Sequence, residues 1–172
     1  FKNSLTTDMR GIFQNCINLK SLNLNKFFTP QVQIMWDMFN GANSLTTLDL
    51  SSFDTSQVTD MESMFDGCNS LVSLNLNNFQ TGKVSYMNKM FFSCYNLKYL
   101  YFRNIKADSV STLAEMFYKY TSLIFIDLFN LNWEQDTGNM FSETSGNFTY
   151  CINDCTNIPN IKTLLNQLNV KN

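Results

Sequence analysis

A methionine followed by a phenylalanine recurs along the chain at a constant spacing of 26 residues. The pairs begin at Met38, Met64, Met90 and Met116, and Ile12 holds the equivalent position one spacing earlier. A fixed period of about 20 to 50 residues is typical of repeat proteins, because one such unit is too small to bury its own apolar face. The chain is therefore expected to fold as a stack of similar units.

Each unit combines two apolar periodicities. In the unit that begins at Phe53, Leu74 and Leu76 alternate with polar neighbours, which is the pattern of a half-buried strand. Four earlier apolar residues share the i, i+3, i+4 and i+7 spacing of one helix face, namely Met61, Met64, Phe65 and Cys68. The sequence therefore predicts an α/β solenoid of about six 26-residue units, with a parallel sheet on one face and short helices on the other.

The residues inside the unit are also informative. The segment Leu45–Leu50, LTTLDL, resembles the leucine-rich repeat, and the segment 51–71, SSFDTSQVTDMESMFDGCNSL, resembles the BspA-type family of 26-residue repeats. The resemblance covers residues 1–131. It implies a leucine-rich-repeat-like fold and a cell-surface or secreted protein of a bacterium, mycoplasma or parasitic protist that adheres to host surfaces. It implies no catalytic residues.

The regular spacing ends near residue 131. Met140 follows Met116 by 24 residues rather than 26, and no leucine pattern comes after it at the usual distance. We therefore predict five regular repeats in 1–131, followed by a degenerate sixth repeat with an insertion of about ten residues and a C-terminal cap in 132–172. The apolar residues of 161–168 fit either a last strand or an amphipathic capping helix, and their spacing favours the helix.

Composition excludes several classes of function. The chain has no histidine, which removes the most common general base and metal ligand. Its 12 basic and 14 acidic residues are scattered, so no basic patch for nucleic acid is expected. No apolar run approaches the roughly 20 residues of a spanning helix, so membrane insertion by this segment is not expected. The sequence predicts neither an enzyme nor a cofactor or metal site.

Three of the five cysteines share one repeat position, which alanine or tyrosine fills in other units: Cys16, Cys68 and Cys94, with Ala42 and Tyr120 in the same position. Such exchange favours inert thiols in an apolar slot, although Cys68 and Cys94 on neighbouring units would also be close enough for a disulfide. Cys151 and Cys155 lie in the irregular segment and form a second candidate pair. Asn147 begins an N-x-T glycosylation sequon there.

Specificity is expected on the exposed sheet face, where side chains vary while the frame repeats. Around the second leucine of each unit, the first three units carry mostly small polar residues, whereas the next two carry aromatic and charged residues. Aromatic residues and arginine are typical of contact hot spots. The predicted partner-binding residues are Tyr99, Tyr101, Arg103, Phe125, Asp127 and Phe129. Structural burial of this patch by the C-terminal insertion or by a partner is an equal alternative.

These expectations together predict a non-catalytic protein-binding or adhesion module of a surface-exposed or secreted protein, which recognises a protein or glycan ligand through the exposed sheet face. The alternative is a structural or intracellular interaction scaffold without a host ligand. A weaker third hypothesis is the accessory domain of an enzyme. The two main hypotheses differ in whether cells carry a receptor for the chain.

Overall fold

Four short parallel strands form one sheet in the computed structural model, which describes residues 5–103, 105–128, 139–144 and 149–151. The strands are β1 (Ser73–Asn75), β2 (Tyr99–Tyr101), β3 (Phe125–Asp127) and β4 (Thr149–Cys151), and each has three residues. They are ordered as in the chain, and Leu74 pairs with Leu100, which pairs with Ile126. The first three strands therefore keep the 26-residue register.

The predicted strand around Leu74 is present, but strands occur only from the third unit onwards among the described residues. In the first two units the equivalent segments, 21–23 and 47–49, have no regular secondary structure. A second line of contact joins all of the early units, because Asp8, Ile34, Asp60 and Tyr86 form successive parallel bridges. The units are therefore stacked in register even where the sheet is absent.

The predicted helices are absent from the described part of the chain, so the prediction of an α/β solenoid with helices on one face was wrong. The segment 62–67 is a run of turns instead. Alternate N–H groups donate to carbonyls of the following unit: Met61 to Tyr86, Ser63 to Asn88, Phe65 to Met90 and Gly67 to Phe92, at 2.9 to 3.1 Å. The intervening Met64 N–H donates to Met61, three residues back, at 3.3 Å. An α-helix needs bonds to the fourth residue back.

Backbone handedness explains why this segment cannot be a helix. Ser63 and Gly67 have φ of 51° and 69°, in the left-handed region. A right-handed helix does not accommodate such residues at regular intervals. The same two positions are left-handed in the other units, where they are occupied by Gly11 and Asn15, Asp37 and Gly41, Lys89 and Ser93, and Glu115 and Lys119.

The apolar residues that suggested a helix nevertheless form the core. Met61, Met64, Phe65 and Cys68 are all fully buried. The phenylalanine of each unit stacks on its equivalent in the next, with ring centroids 5.0 to 5.7 Å apart. This aromatic column comprises Phe13, Phe39, Phe65, Phe91, Phe117 and Phe141. It runs through the described units as one continuous contact.

A column of buried threonines ties the units together and was not identified from the sequence. Thr55 Oγ1 donates to the Gln80 carbonyl at 3.2 Å and accepts the Gln80 N–H at 2.7 Å. Thr29 and Thr81 make the same pair of bonds with the following unit. Their spacing of 26 residues in the sequence was the available signal. The fifth unit has Ala107 at this position and so lacks the hydroxyl.

Several predictions fall on residues outside the described part of the chain. These are most of the sixth repeat, including its insertion, the candidate capping helix in 161–168, Asn147 and Cys155. The division of the chain at residue 131 likewise stays a prediction. In the described ranges, no helix has both the length and the apolar character that crossing a bilayer requires.

Candidate partner-binding surface

The repeat register brings five of the six predicted partner-binding residues together. Tyr99 and Tyr101 lie on β2, and their backbone partners on β3 are Phe125 and Asp127, respectively. Arg103 follows β2 by two residues. Because residues that are paired across parallel strands point to the same side of the sheet, these side chains share one face. Phe129, the sixth predicted residue, lies outside the described part of the chain.

The burial of this face differs from the expected exposure. Phe125 is 2% exposed, Asp127 1% and Tyr101 8%, so these three follow the alternative of structural burial rather than that of an open contact surface. Both faces of the sheet are covered along β3, whereas the outer residues of β1 are exposed. Tyr99 is half-buried and the Arg103 side chain is 51% exposed. Among the five described members of the set, Tyr99 and Arg103 are therefore the two that a partner reaches in this conformation.

The buried members form a compact cluster beneath them. The rings of Tyr101 and Phe125 lie 5.7 Å apart at an angle of 51°. Arg103 Nε donates to Asp127 Oδ2 at 2.5 Å, and the Arg103 backbone N–H donates to Asn77 Oδ1 at 3.0 Å. A buried carboxylate therefore fixes the inner side of the guanidinium while half of the Arg103 side chain remains in solvent. Holding an arginine in this way lowers the entropy it loses when it contacts a partner.

The Tyr101 hydroxyl is buried and has no hydrogen-bond partner among the described residues. Burial is the main cause that raises the pKa of Tyr101, followed by the nearby Tyr99 and Asp127. An unsatisfied buried polar group costs about 1–3 kcal/mol, and such groups are rare in folded proteins. Tyr101 is therefore the one member of the cluster whose hydrogen-bonding capacity is unused.

A second aromatic feature lies half-buried on the turn side of the stack and was not identified from the sequence. The rings of Phe92 and Tyr118 are stacked with centroids 4.9 Å apart, and Lys119 Nζ lies 5.2 Å from the Tyr118 ring. Tyr118 Oη donates to Glu143 Oε1 at 2.5 Å. We call Phe92 and Tyr118 the turn-side aromatic pair. Its signal in the sequence was two aromatic residues 26 apart at a position where earlier units have Asn40 and Asp66.

The cysteines of the repeat are free thiols. Cys68 and Cys94 are buried and unbridged, as predicted for inert core residues, and a disulfide between them is therefore absent. Their Sγ atoms donate to the carbonyls of Phe39 and Phe65 at 3.2 and 3.0 Å. Burial raises the pKa of Cys94 to about 12 and that of Cys68 well above its usual value. Since the thiolate is the reactive form, neither is activated as a nucleophile.

Acidic groups do not converge on a metal-binding arrangement. No cluster of three or more potential metal-ligating side chains occurs within the residues that the structure describes. Asp66 has the most perturbed described carboxyl group for which a value is resolved, because burial, and then the neighbouring Asp37, raise its pKa to about 6. Asp66 lies on the turn side of the stack, away from the sheet cluster. The raised pKa of Asp66 therefore affects the stability of the fold and does not involve the candidate partner-binding surface.

Comparison with known proteins identifies one family. The family model described as Mycoplasma protein of unknown function, DUF285, matches residues 1–100 and again residues 49–158. The two matches overlap in 49–100, which is compatible with internal repeats. No curated protein and no solved structure was found to match the chain.

Proposed function

We propose that this chain, which belongs to the DUF285 family of Mycoplasma proteins of unknown function, is a non-catalytic binding module that attaches to a protein or glycan on a cell surface. Its contact surface is the sheet face at β2 and β3. Tyr99 and Arg103 contact the ligand directly, and Tyr101, Phe125 and Asp127 hold them in place. The protein that carries the module is surface-exposed or secreted.

The observation that carries this proposal is the change in the sheet face along the stack. The outward positions of β1 are the exposed, small polar residues Ser73 and Asn75, whereas β2 presents Tyr99 beside a preorganised arginine. Aromatic residues and arginine over a desolvated cluster make up most contact hot spots. The unused Tyr101 hydroxyl lies within the same cluster and supplies a further hydrogen-bonding group if the cluster opens on binding.

We further propose that the repeat is related to the BspA-type 26-residue repeat. The support is the constant spacing of Met–Phe pairs together with the LTTLDL pattern at Leu45–Leu50. The parallel pairing of Leu74, Leu100 and Ile126, which share one repeat position, is compatible with that relationship. We place the ligand on a host cell because the BspA-type resemblance implies a protein that adheres to host surfaces.

The test is binding of the fluorescently labelled chain to cultured animal cells. We expect saturable binding by the wild type and at least tenfold weaker binding by the double variant Tyr99→Ala/Arg103→Ala. A matched double variant, Thr47→Ala/Ser73→Ala, changes the polar part of the same face and should bind like the wild type. Circular dichroism and thermal unfolding of both variants show whether their folds are intact.

Treatment of the cells before binding identifies the class of ligand. Loss of binding after trypsin indicates a protein, and loss after glycosidases indicates a glycan. Absence of saturable binding by the wild type contradicts an adhesion role and favours the scaffold hypothesis. Equal binding by Tyr99→Ala/Arg103→Ala and the wild type, with loss in Tyr118→Ala, would move the contact to the turn-side aromatic pair.

A further inference from the structure

The N-terminal end of the described stack presents backbone carbonyls whose equivalents in the interior units accept hydrogen bonds from the preceding unit. The carbonyls of Ile34 and Trp36 accept hydrogen bonds from the preceding unit, from the N–H groups of Met9 and Gly11, at 2.9 Å each. The equivalent carbonyls of the first unit accept no hydrogen bond from the described residues; they belong to Asp8, Arg10, Ile12 and Gln14. These four carbonyls therefore occupy the positions through which one unit stacks on the unit before it.

The side chains at this end are also uncovered. Ile12 is 47% exposed, whereas Met38, its equivalent in the next unit, is fully buried. Phe13 is half-buried and stacks on Phe39 at 5.2 Å through one ring face, whereas Phe39 has a stacked ring on both sides. A groove of about 470 Å³ opens here, lined mainly by apolar side chains: Met9, Ile12, Phe13, Leu22, Leu24 and Phe27.

We infer that this N-terminal face docks one further 26-residue unit of the same repeat type, stacked head to tail. Such a unit places alternate N–H groups opposite these four carbonyls, as the first unit does for the second. It also supplies a carbonyl for the N–H groups of Thr7 and Asp8, since their equivalents Gln33 and Ile34 both donate to Thr7 O, at 2.7 and 3.2 Å. Its Met–Phe pair covers Ile12 and Phe13.

The polarity of the hydrogen bonds excludes the simplest alternative occupant. A second copy of the chain that docked face to face through this end would set carbonyls of Asp8, Arg10, Ile12 and Gln14 against the same carbonyls. Carbonyls cannot donate, and burying them without partners costs about 1–3 kcal/mol each. Only a segment that presents N–H groups at the repeat's own spacing completes the face. The inference holds whether or not the sheet face binds a cell-surface ligand.

The test extends the full chain by one unit. A copy of residues 27–52 is placed directly before Phe1, which preserves the 26-residue spacing. We expect the amides of Thr7 and Asp8 to exchange with solvent at least tenfold more slowly than in the unextended chain, as measured by NMR. Thermal unfolding should also occur at a higher temperature, because each interface between units adds stability.

Two controls separate docking from a general effect of the added segment. In the first, the copies of Met38 and Phe39 are replaced by aspartate, which should leave exchange at Thr7 and Asp8 unchanged. In the second, Ile12→Asp should be tolerated by the unextended chain and should abolish the gain from the added unit. Unchanged exchange in the extended chain, or a face-to-face dimer of the wild type that Ile12→Asp dissociates in analytical ultracentrifugation, overturns the inference.

Discussion

Asp66 is a half-buried carboxyl group, and burial raises its pKa from 3.8 to about 6. A carboxyl whose pKa is higher in the folded state favours folding when it is protonated, and this contribution is lost as pH rises from about 4 through 6. We expect Asp66→Asn to increase the free energy of unfolding by about 1–2 kcal/mol at pH 7.5 and to change it little at pH 4. Urea denaturation at the two pH values measures this difference.

Asp49 provides a control of opposite sign. Its carboxylate accepts the Ser51 N–H at 2.9 Å, and the hydrogen bonds to Ser51 lower its pKa. A carboxyl with a lowered pKa stabilises the fold above its unfolded value, and this contribution is lost on acidification. Asp49→Asn should therefore not stabilise the protein at pH 7.5. Equal stabilisation by both variants would mean that the effect of Asp66→Asn is one of net charge.

At the level of the structural element, the threonine column is the clearest source of cohesion between units. We expect Thr55→Val to lower the free energy of unfolding by about 1–3 kcal/mol, because the shape is kept while the two hydrogen bonds with the N–H and carbonyl of Gln80 are lost. Thr55→Ser keeps the hydroxyl and should cost less. Chemical denaturation of both variants is the measurement, and an equal or larger loss in Thr55→Ser would show that the methyl group contributes at least as much as the hydroxyl.

In the turn segment, the sequence pattern predicted which side chains are buried but not the path of the backbone. The spacing of Met61, Met64, Phe65 and Cys68 correctly identified the buried side chains but not the backbone path. A helix and this run of turns bury the same positions, and they differ in whether an N–H group donates to the fourth residue back or to the next unit. Gly41 and Gly67, which are 26 residues apart and both left-handed, were the available sign of the turn structure.

The candidate surface was predictable in one respect and not in another. The repeat placed Tyr99, Tyr101, Phe125 and Asp127 on adjacent strands in the observed pairs, because register follows directly from the period. The sequence left burial and exposure of Tyr101, Phe125 and Asp127 as equal alternatives, since burial depends on what covers the sheet and not on the alternation within a strand. The residue pattern within one unit does not show which distant parts of the chain cover that unit.

At the scale of the whole molecule, the aromatic column predicts unequal sensitivity of its members. We expect Phe65→Ala to cost about 3–5 kcal/mol of unfolding free energy, because Phe65 is fully buried between Phe39 and Phe91. Phe13→Ala should cost clearly less, since Phe13 is half-buried at the open end. Thermal and chemical denaturation compare the two variants. Equal costs would mean that the N-terminal face is covered in solution.

The constant register also has a genetic consequence. Each unit meets its successor through the same alternating hydrogen bonds, so the identity of a particular neighbour matters less than its spacing. An in-frame duplication or loss of the codons for one unit, by recombination between the similar repeats, would leave every remaining interface intact. A gene of this kind can therefore change the length of its product in whole units while the fold is retained.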